Sequence, residues 1–451
     1  MLSENRRKEE PKDKGNIAYY IFLLFGIGGL LPWNAIITAI YFFSEAFPSH
    51  DPAFDFTLIL NSLNFIFNFV NMFTIRLIPL KFRLVVSLLA IFGLLWSMPF
   101  IANYLSESKG WLSIIIIIVA MGVANSFAQV GIYGFAGVFP PKYTGAVMIG
   151  NGLSGLSMNI FRMSTLVAFP PKEIEEGETD DTAFIGCIIY FAITSLILIM
   201  SIFGYFYISN TEFAQFYVKR AGDTISEKTM SLNIAARSAG SLGHADAIKI
   251  FHEEENIYIK MEENDHINNE SESISTEKTF FQIYKNIGFM AIQVFICFTI
   301  TFVVFPGTLL STRFGFLGES PLDKAWLSVL IITLFNLFDI IGKFTAGLSQ
   351  ILSPRTIFIL TIFRVVFIPT SIFIKLGYNP TWIFTSDWFR ILNIALFSFT
   401  NGYSSVLLMT YGPQFVDNNS KERAIILMSF HLVGGIFFGS LIALFGMKEI
   451  N

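Results

Sequence analysis

Four charged side chains in this 451-residue chain, Arg162, Asp339, Lys343 and Arg364, stand well inside long apolar runs. At membrane depth a charge costs at least about 2.5–3.5 kcal/mol, so such residues face a bundle interior or a wet cavity and mark candidate function. Asp339 is the only acid among them. In Asn336-Leu337-Phe338-Asp339-Ile340-Ile341-Gly342-Lys343 the three polar residues are spaced i, i+3, i+7, which puts an amide, a carboxylate and an ammonium on one helical face. That row donates to and accepts from hydroxyls and ring nitrogens, as a sugar or a nucleobase requires. The alternative is that Asp339 and Lys343 only neutralise one another or knit helices together.

Other polar groups fall into the same apolar setting. Trp33 follows Gly26-Ile27-Gly28-Gly29-Leu30-Leu31-Pro32, where the glycines permit close helix approach and Pro32 removes one backbone hydrogen bond, so a kink is expected there. Trp33 lies too deep in its run for an interfacial belt and offers a flat ring and one donor to a planar ligand. Asn61, Asn64, Asn68 and Asn71 recur at 3, 4 and 3 residues as a polar stripe. Interhelical hydrogen bonding and a substrate path explain that stripe equally well. Gln129, followed by Gly131, Gly134 and Gly137, has an amide suited to a base edge. Arg162 and Arg364 lack a sequence-local carboxylate. A structural or gating role suits their fixed fork of donors better than ligand contact, and Asn61 and Asn64 are placed with them.

The elements that must hold these groups follow from composition. Hydrophobic residues make up 53% of the chain, charged residues only 14%, and Phe occurs 51 times, which no soluble fold requires. Eleven apolar runs are long enough to cross a bilayer: 17–44, 56–79, 83–104, 111–139, 145–169, 182–208, 280–310, 324–351, 355–376, 387–412 and 422–446. They are too continuous for the alternating dyads of a membrane β-barrel, so the expectation is an all-α integral membrane protein. Lys and Arg cluster in the tail and in alternate loops (Arg76, Lys81 and Arg83; Lys142; Lys219 and Arg220; Arg355; Lys421 and Arg423), which predicts a cytoplasmic N-terminus and an extracellular C-terminus. The first run is too long for a cleaved signal peptide.

Residues 1–16 form a charged tail, 17–208 carry six spans, 209–279 are polar and 280–451 carry five more. The polar stretch predicts a largely disordered cytoplasmic linker between a six-helix and a five-helix bundle, with a short amphipathic helix possible at 244–262. The only cysteines, Cys187 and Cys297, fall inside spans, and His252-Glu253 lacks a second His at metal-binding spacing. No metal or cofactor is implied, no nucleophile–base pair stands out, and an enzyme is not expected. The net charge of −4 carries no information about partners, and no nucleic-acid partner is expected.

Gly28-Gly29-Leu30-Leu31-Pro32-Trp33-Asn34, Gln129 through Ala136-Gly137 to Pro140 with Tyr143-Thr144, and Gly150 with Gly152-Leu153 resemble, in order, motifs of the equilibrative nucleoside transporter family. So do Phe298-Thr299-Ile300-Thr301 through Phe305-Pro306, Phe335-Asn336 through Asp339 to Gly342-Lys343, Arg364 through Phe367 to Pro369, and Asn401-Gly402-Tyr403 through Gly412-Pro413. The resemblance spans nearly the whole chain. It implies an eleven-helix, 6+5 fold akin to the major facilitator bundle, facilitated diffusion of nucleosides by alternating access, purine uptake among its activities, and a monomer in the lipid bilayer of the plasma membrane. It also implies a cavity lined by Leu30, Trp33, Gln129, Phe305, Asn336 and Asp339, with Lys343 beside them. Trp33 and Phe305 would meet the base, Gln129 its edge, and Asp339 the ribose. The family commonly has Arg where Lys343 stands, and a point charge in place of a planar fork implies looser sugar recognition and some competition by nucleobases. Ile37 stands where a Met is common. Proton-coupled carriage of nucleosides or nucleobases, with Asp339 titrating, is the alternative within transport, and a transport fold with a non-transport role is the alternative outside it.

Overall fold

Chains embedded in hydrocarbon satisfy their backbone groups within each span, and long apolar runs do so as helices. A computed structural model describes residues 11–74, 77–168, 181–219, 280–310, 312–318, 320–349, 351–376 and 383–447, and no strand occurs among them. The spans are α1 (Ile17–Thr38), α2 (Pro52–Thr74), α3 (Ser87–Tyr104), α4 (Glu107–Val138), α5 (Pro141–Ala168) and α6 (Asp181–Ser209), followed by α7 (Phe280–Val304) and α8 (Pro321–Leu348). Then come α9, whose halves Thr356–Phe363 and Phe367–Leu376 flank a 3-10 turn at Arg364–Val366, α10 (Asp387–Tyr411) and α11 (Lys421–Met447).

Among the described residues ten helices are long and apolar enough to cross a membrane, and α5 is the long helix outside that set. Its 28 residues reach about 42 Å at 1.5 Å per residue, more than the roughly 30 Å hydrocarbon core. What it lacks is apolarity, because Gly145, Gly150, Gly152, Ser154, Gly155 and Asn159 are buried against other helices and need no lipid solubility. Helix α5 is packed by α1 on one side and by α8 and α10 on another. It is long enough to cross the core and is packed among the other helices.

Three helix pairs cross with backbones nearly touching, each through glycine. A Cβ on Gly26 would strike the Val147 carbonyl, and one on Gly150 the Leu23 carbonyl, locking α1 to α5. Gly342 lies in the same way on the Phe399 carbonyl and Gly402 on the Asp339 carbonyl, which locks α8 to α10. Gly435 and Gly439 of α11 lie on the Phe295 and Thr299 carbonyls of α7. Lipid tails give helices no hydrophobic reason to associate, so close backbone packing by small residues supplies the attraction. The expected result for Gly402→Val is a loss of about 1–3 kcal/mol or more, the usual range for overpacking, because a carbonyl cannot move aside as a side chain can. A lowered unfolding midpoint of the detergent-solubilised protein checks it.

At the end of the bundle that carries the N-terminal tail, side chains link several elements. Arg83 Nη2 meets Glu422 Oε1 of α11 at 3.2 Å, and Gly134 and Gly137 of α4 pack on Glu422, Ile425 and Ile426. Asp13 accepts hydrogen bonds from the Ala18 and Tyr19 amides at 3.0 and 3.2 Å, and from Tyr143 Oη at 3.2 Å, which fixes the tail to the starts of α1 and α5.

Two local features bear on the motifs read in the sequence. Helix α1 runs on through Pro32, and the break comes at Ala39 (φ −86°, ψ 8°), before a short helix at Ile40–Ala46. Proline is tolerated in a membrane helix when neighbours pack around the freed backbone, and Pro32 is buried. Of the glycines after Gln129, Gly134 and Gly137 lie in the seam between α4 and α11 just described, and Gly131 lies on Arg83 and Leu84. The linker from 220 to 279, with its amphipathic stretch at 244–262, lies outside the described residues.

Candidate functional site

The row on α8 takes its phase from the start of the helix. Ser320 Oγ accepts from the Asp323 amide at 3.1 Å, and Asp323 Oδ2 accepts from the Ser320 amide at 3.3 Å, a capping box with Pro321 at the first helical position. About five to six turns later, Asp339 and Lys343 are only 4% and 7% exposed, and their Oδ2 and Nζ stand 2.7 Å apart. Breaking such a buried pair by removing one partner costs about 3–5 kcal/mol, since the survivor is left as a bare buried charge.

Asp339 has a second partner across the α8–α10 crossing. Asn401 Nδ2 donates to Asp339 Oδ1 at 2.7 Å, and Asn401 Oδ1 accepts from Thr301 Oγ1 of α7 at 2.7 Å. Arg364, fully buried at the 3-10 turn of α9, donates from Nη2 to Thr301 Oγ1 at 2.7 Å and from Nη1 to Cys297 Sγ at 2.6 Å. Its guanidinium also lies over the Phe397 ring, 5.2 Å from the centroid. Thus Arg364 reaches Asp339 only through α7 and α10. The Asn401 link was missed in the sequence because its partner lies 62 positions away; Gly402 beside it was the available signal.

Helix α5 is the wall that the other candidates share. Gly155 faces the half-buried Asn336 carboxamide, and Gly152 faces Ile340 and Lys343 Nζ. Between those glycines, Ser154 Oγ accepts from Asn34 Nδ2 of α1 at 2.8 Å, so Trp33 and Asn34 lie at the same level of α5 as the Asp339 row. Asn151 Nδ2 donates to Tyr133 Oη of α4 at 2.9 Å, which brings α4 to that level too. One turn from Tyr133, Gln129 is half-buried and its Oε1 accepts from Asn64 Nδ2 at 3.3 Å. Leu30 and Trp33 are partly buried, with Trp33 packed against the main apolar core. Phe305, past the end of α7, stacks on Phe335 of α8 at 4.1 Å between centroids and 8° between planes.

The remaining candidates stand elsewhere. Asn68 Nδ2 donates to Asn64 Oδ1 at 2.9 Å, Asn71 Nδ2 donates to Ser126 Oγ at 3.0 Å, and Asn61 is buried on the same stripe, so these asparagines join α2 to α4. Arg162 Nη1 lies 3.5 Å from Tyr190 Oη of α6, and Thr165 hydrogen-bonds the same hydroxyl. Arg162 is therefore not part of the Asp339 network.

The chemical content is a fixed carboxylate with an ammonium and an amide as its partners. Around the same level of α5 stand an indole and two carboxamides. A polyhydroxylated heterocycle offers the matching donors, acceptors and flat faces.

Comparison with known proteins gives the same frame. The chain is 26% identical to equilibrative nucleoside transporter 1 of Homo sapiens, over 96% of this chain and 97% of that one. It is 25% identical to equilibrative nucleotide transporter 1 of Arabidopsis thaliana, over 98% and 88%. In fold it is similar to a proton:xylose symporter of the major facilitator superfamily, with a TM-score of 0.58 at 12% identity over 96% of this chain and 89% of that chain. A second member of that superfamily, solved in its outward conformation, matches with a TM-score of 0.58 at 10% identity over 96% and 91%. A family model described as "Nucleoside transporter" matches residues 115–447, and this multi-pass membrane protein belongs to that family.

Proposed function

We propose that this protein carries nucleosides across a membrane by facilitated diffusion, in a cycle that opens the space around α5 alternately to each side. The observation that carries this reading is the fixed Asp339 carboxylate, held by Lys343 and Asn401 at 2.7 Å each, at the level of α5 where Trp33 also lies. Trp33 and Phe305 are assigned to the base, Gln129 to its edge, and Asn336, Asp339 and Lys343 to the ribose, with Leu30 as apolar lining. Arg162, Arg364, Asn61 and Asn64 are assigned structural or gating roles. The bundles at 17–208 and 280–451 are taken as the two rocking bodies. The protein is taken as a monomer in the plasma membrane, and an N-terminal tail in the cytoplasm with the C-terminus outside agrees with the Lys and Arg in the tail-side loops. Saturable uptake of labelled adenosine or uridine by vesicles containing the purified protein tests the reading, and uptake no faster than in protein-free vesicles would sink it.

The same geometry favours a carrier without proton coupling. Both Asp339 oxygens already have partners in the protein, Lys343 and Asn401 at 2.7 Å each, so substrate can join the group without a proton as a further partner. Uptake is expected to stay nearly flat between about pH 6 and 8. Accumulation against a gradient that a protonophore collapses would promote the symporter.

Lys343 sets a further expectation, since its ammonium is a point charge where a guanidinium would give a fork. Lys343→Arg should keep or sharpen the preference for nucleosides over bare nucleobases, and Lys343→Met should erase it. Competition assays with inosine and hypoxanthine measure both, and identical profiles in the two variants would make Lys343 purely structural.

A further inference from the structure

The fully buried Arg364 is a costly group with no obvious reason to be there. Among the described residues it pairs with no carboxylate, and its Nε has no hydrogen-bond partner. A guanidinium has five donors and no acceptor, so it dictates the direction of every hydrogen bond that starts from it. Thr301 Oγ1, 2.7 Å from Nη2, must accept. Its one proton is then free for Asn401 Oδ1 at 2.7 Å or the Cys297 carbonyl at 2.8 Å. Asn401 presents Oδ1 to that hydroxyl and to the Cys297 thiol, and from the other end of its amide Nδ2 donates to Asp339 Oδ1, 2.7 Å away. Lys343 holds the other oxygen, Oδ2. The carboxylate is therefore clamped on both oxygens by partners from α8 and α10, and its remaining lone pairs have fixed directions.

We infer that Asn401 is a positioning residue for sugar recognition, oriented by Arg364 through the Thr301 hydroxyl, and that this relay sets the preference for substrates bearing a vicinal diol. The inference rests on the assignment of Asp339 to the ribose. Two neighbouring hydroxyls engage one carboxylate well only when its plane is fixed, because each must meet a lone pair along its own direction. A carboxylate held by Lys343 alone can swing about that contact and loses the advantage of the second hydroxyl. Thr301, Cys297, Asn401 and Arg364 would on this account never touch the substrate. Their effect is read in selectivity.

The test uses the full-length protein in vesicles and compares KM for uridine with KM for 2′,3′-dideoxyuridine. The wild type should favour uridine by roughly tenfold or more, the worth of about one hydrogen bond to a charged group. Thr301→Val is nearly isosteric and keeps the packing while deleting the hydroxyl. It should bring the two KM values together by raising that for uridine and leaving that for the dideoxy analogue alone. Thr301→Ser, which restores the hydroxyl, should restore the ratio. Asn401→Leu should behave as Thr301→Val does, and if it fails to fold the Thr301 pair decides. A wild-type ratio in Thr301→Val, with only Vmax reduced, would overturn the relay, as would a ratio lost equally in Thr301→Ser. Wild-type protein that takes up neither compound would overturn the functional reading, and uptake of both with equal KM would overturn the ribose assignment on which the relay depends.

Discussion

Asp339→Asn is expected to lower nucleoside uptake, as Vmax/KM, by at least about 100-fold. An amide offers one accepting oxygen where the carboxylate offers two, and hydrogen bonds to a charged group are worth about 1.5–3 kcal/mol each. The substitution also leaves Lys343, only 7% exposed, without its 2.7 Å partner. A buried cation so orphaned destabilises by about 3–5 kcal/mol, so lost uptake alone is ambiguous between binding and folding. Asp339→Asn combined with Lys343→Met separates the two. Removing both charges should recover the unfolding midpoint and surface abundance while uptake stays lost. Recovery of uptake in that double variant would show that the pair serves only to hold the helices.

Trp33→Ala is expected to abolish saturable uptake in the working concentration range while the protein still reaches the membrane. Stacking of a base on an aromatic ring is worth about 1–3 kcal/mol, which corresponds to a rise in KM of roughly 5–150-fold. Trp33 is half-buried, so its loss opens space at the level of Ser154 and removes less core packing than a fully buried Trp would. Trp33→Phe retains a flat face and should retain most of the uptake. Near-normal uptake by Trp33→Ala in surface-matched cells would remove this residue from the substrate path.

These two residues also mark how far the sequence could be read. The spans were legible because a bilayer imposes one length and one polarity on every crossing, so composition along the chain reports each helix directly. The face shared by Asn336, Asp339 and Lys343 was legible for a local reason, since helical geometry brings i, i+3 and i+7 together whatever surrounds them, and Ser320 and Asp323 mark the helix start in plain sequence. Helix α5 is the instructive case. Its low apolarity comes from Gly, Ser and Asn turned toward α1, α8 and α10, and sequence shows the composition without the neighbours.

What only the tertiary structure decided is partnership between distant segments. Arg364 lacks a sequence-local carboxylate and reads in the sequence only as structural or gating; its hydrogen bonds lead to Asp339 through Thr301 and Asn401, with 63 and 100 positions between the partners of the first two links. The asparagine stripe left two readings open, and bonds to Gln129 and Ser126 join it to α4. Pro32 lies inside α1 and is buried, and the helix ends only at Ala39, before a second short helix. Periodicity tells which side of a helix is polar. Which helix that side meets depends on where glycines such as Gly342 and Gly402 let two backbones touch, and that choice is made by packing in three dimensions.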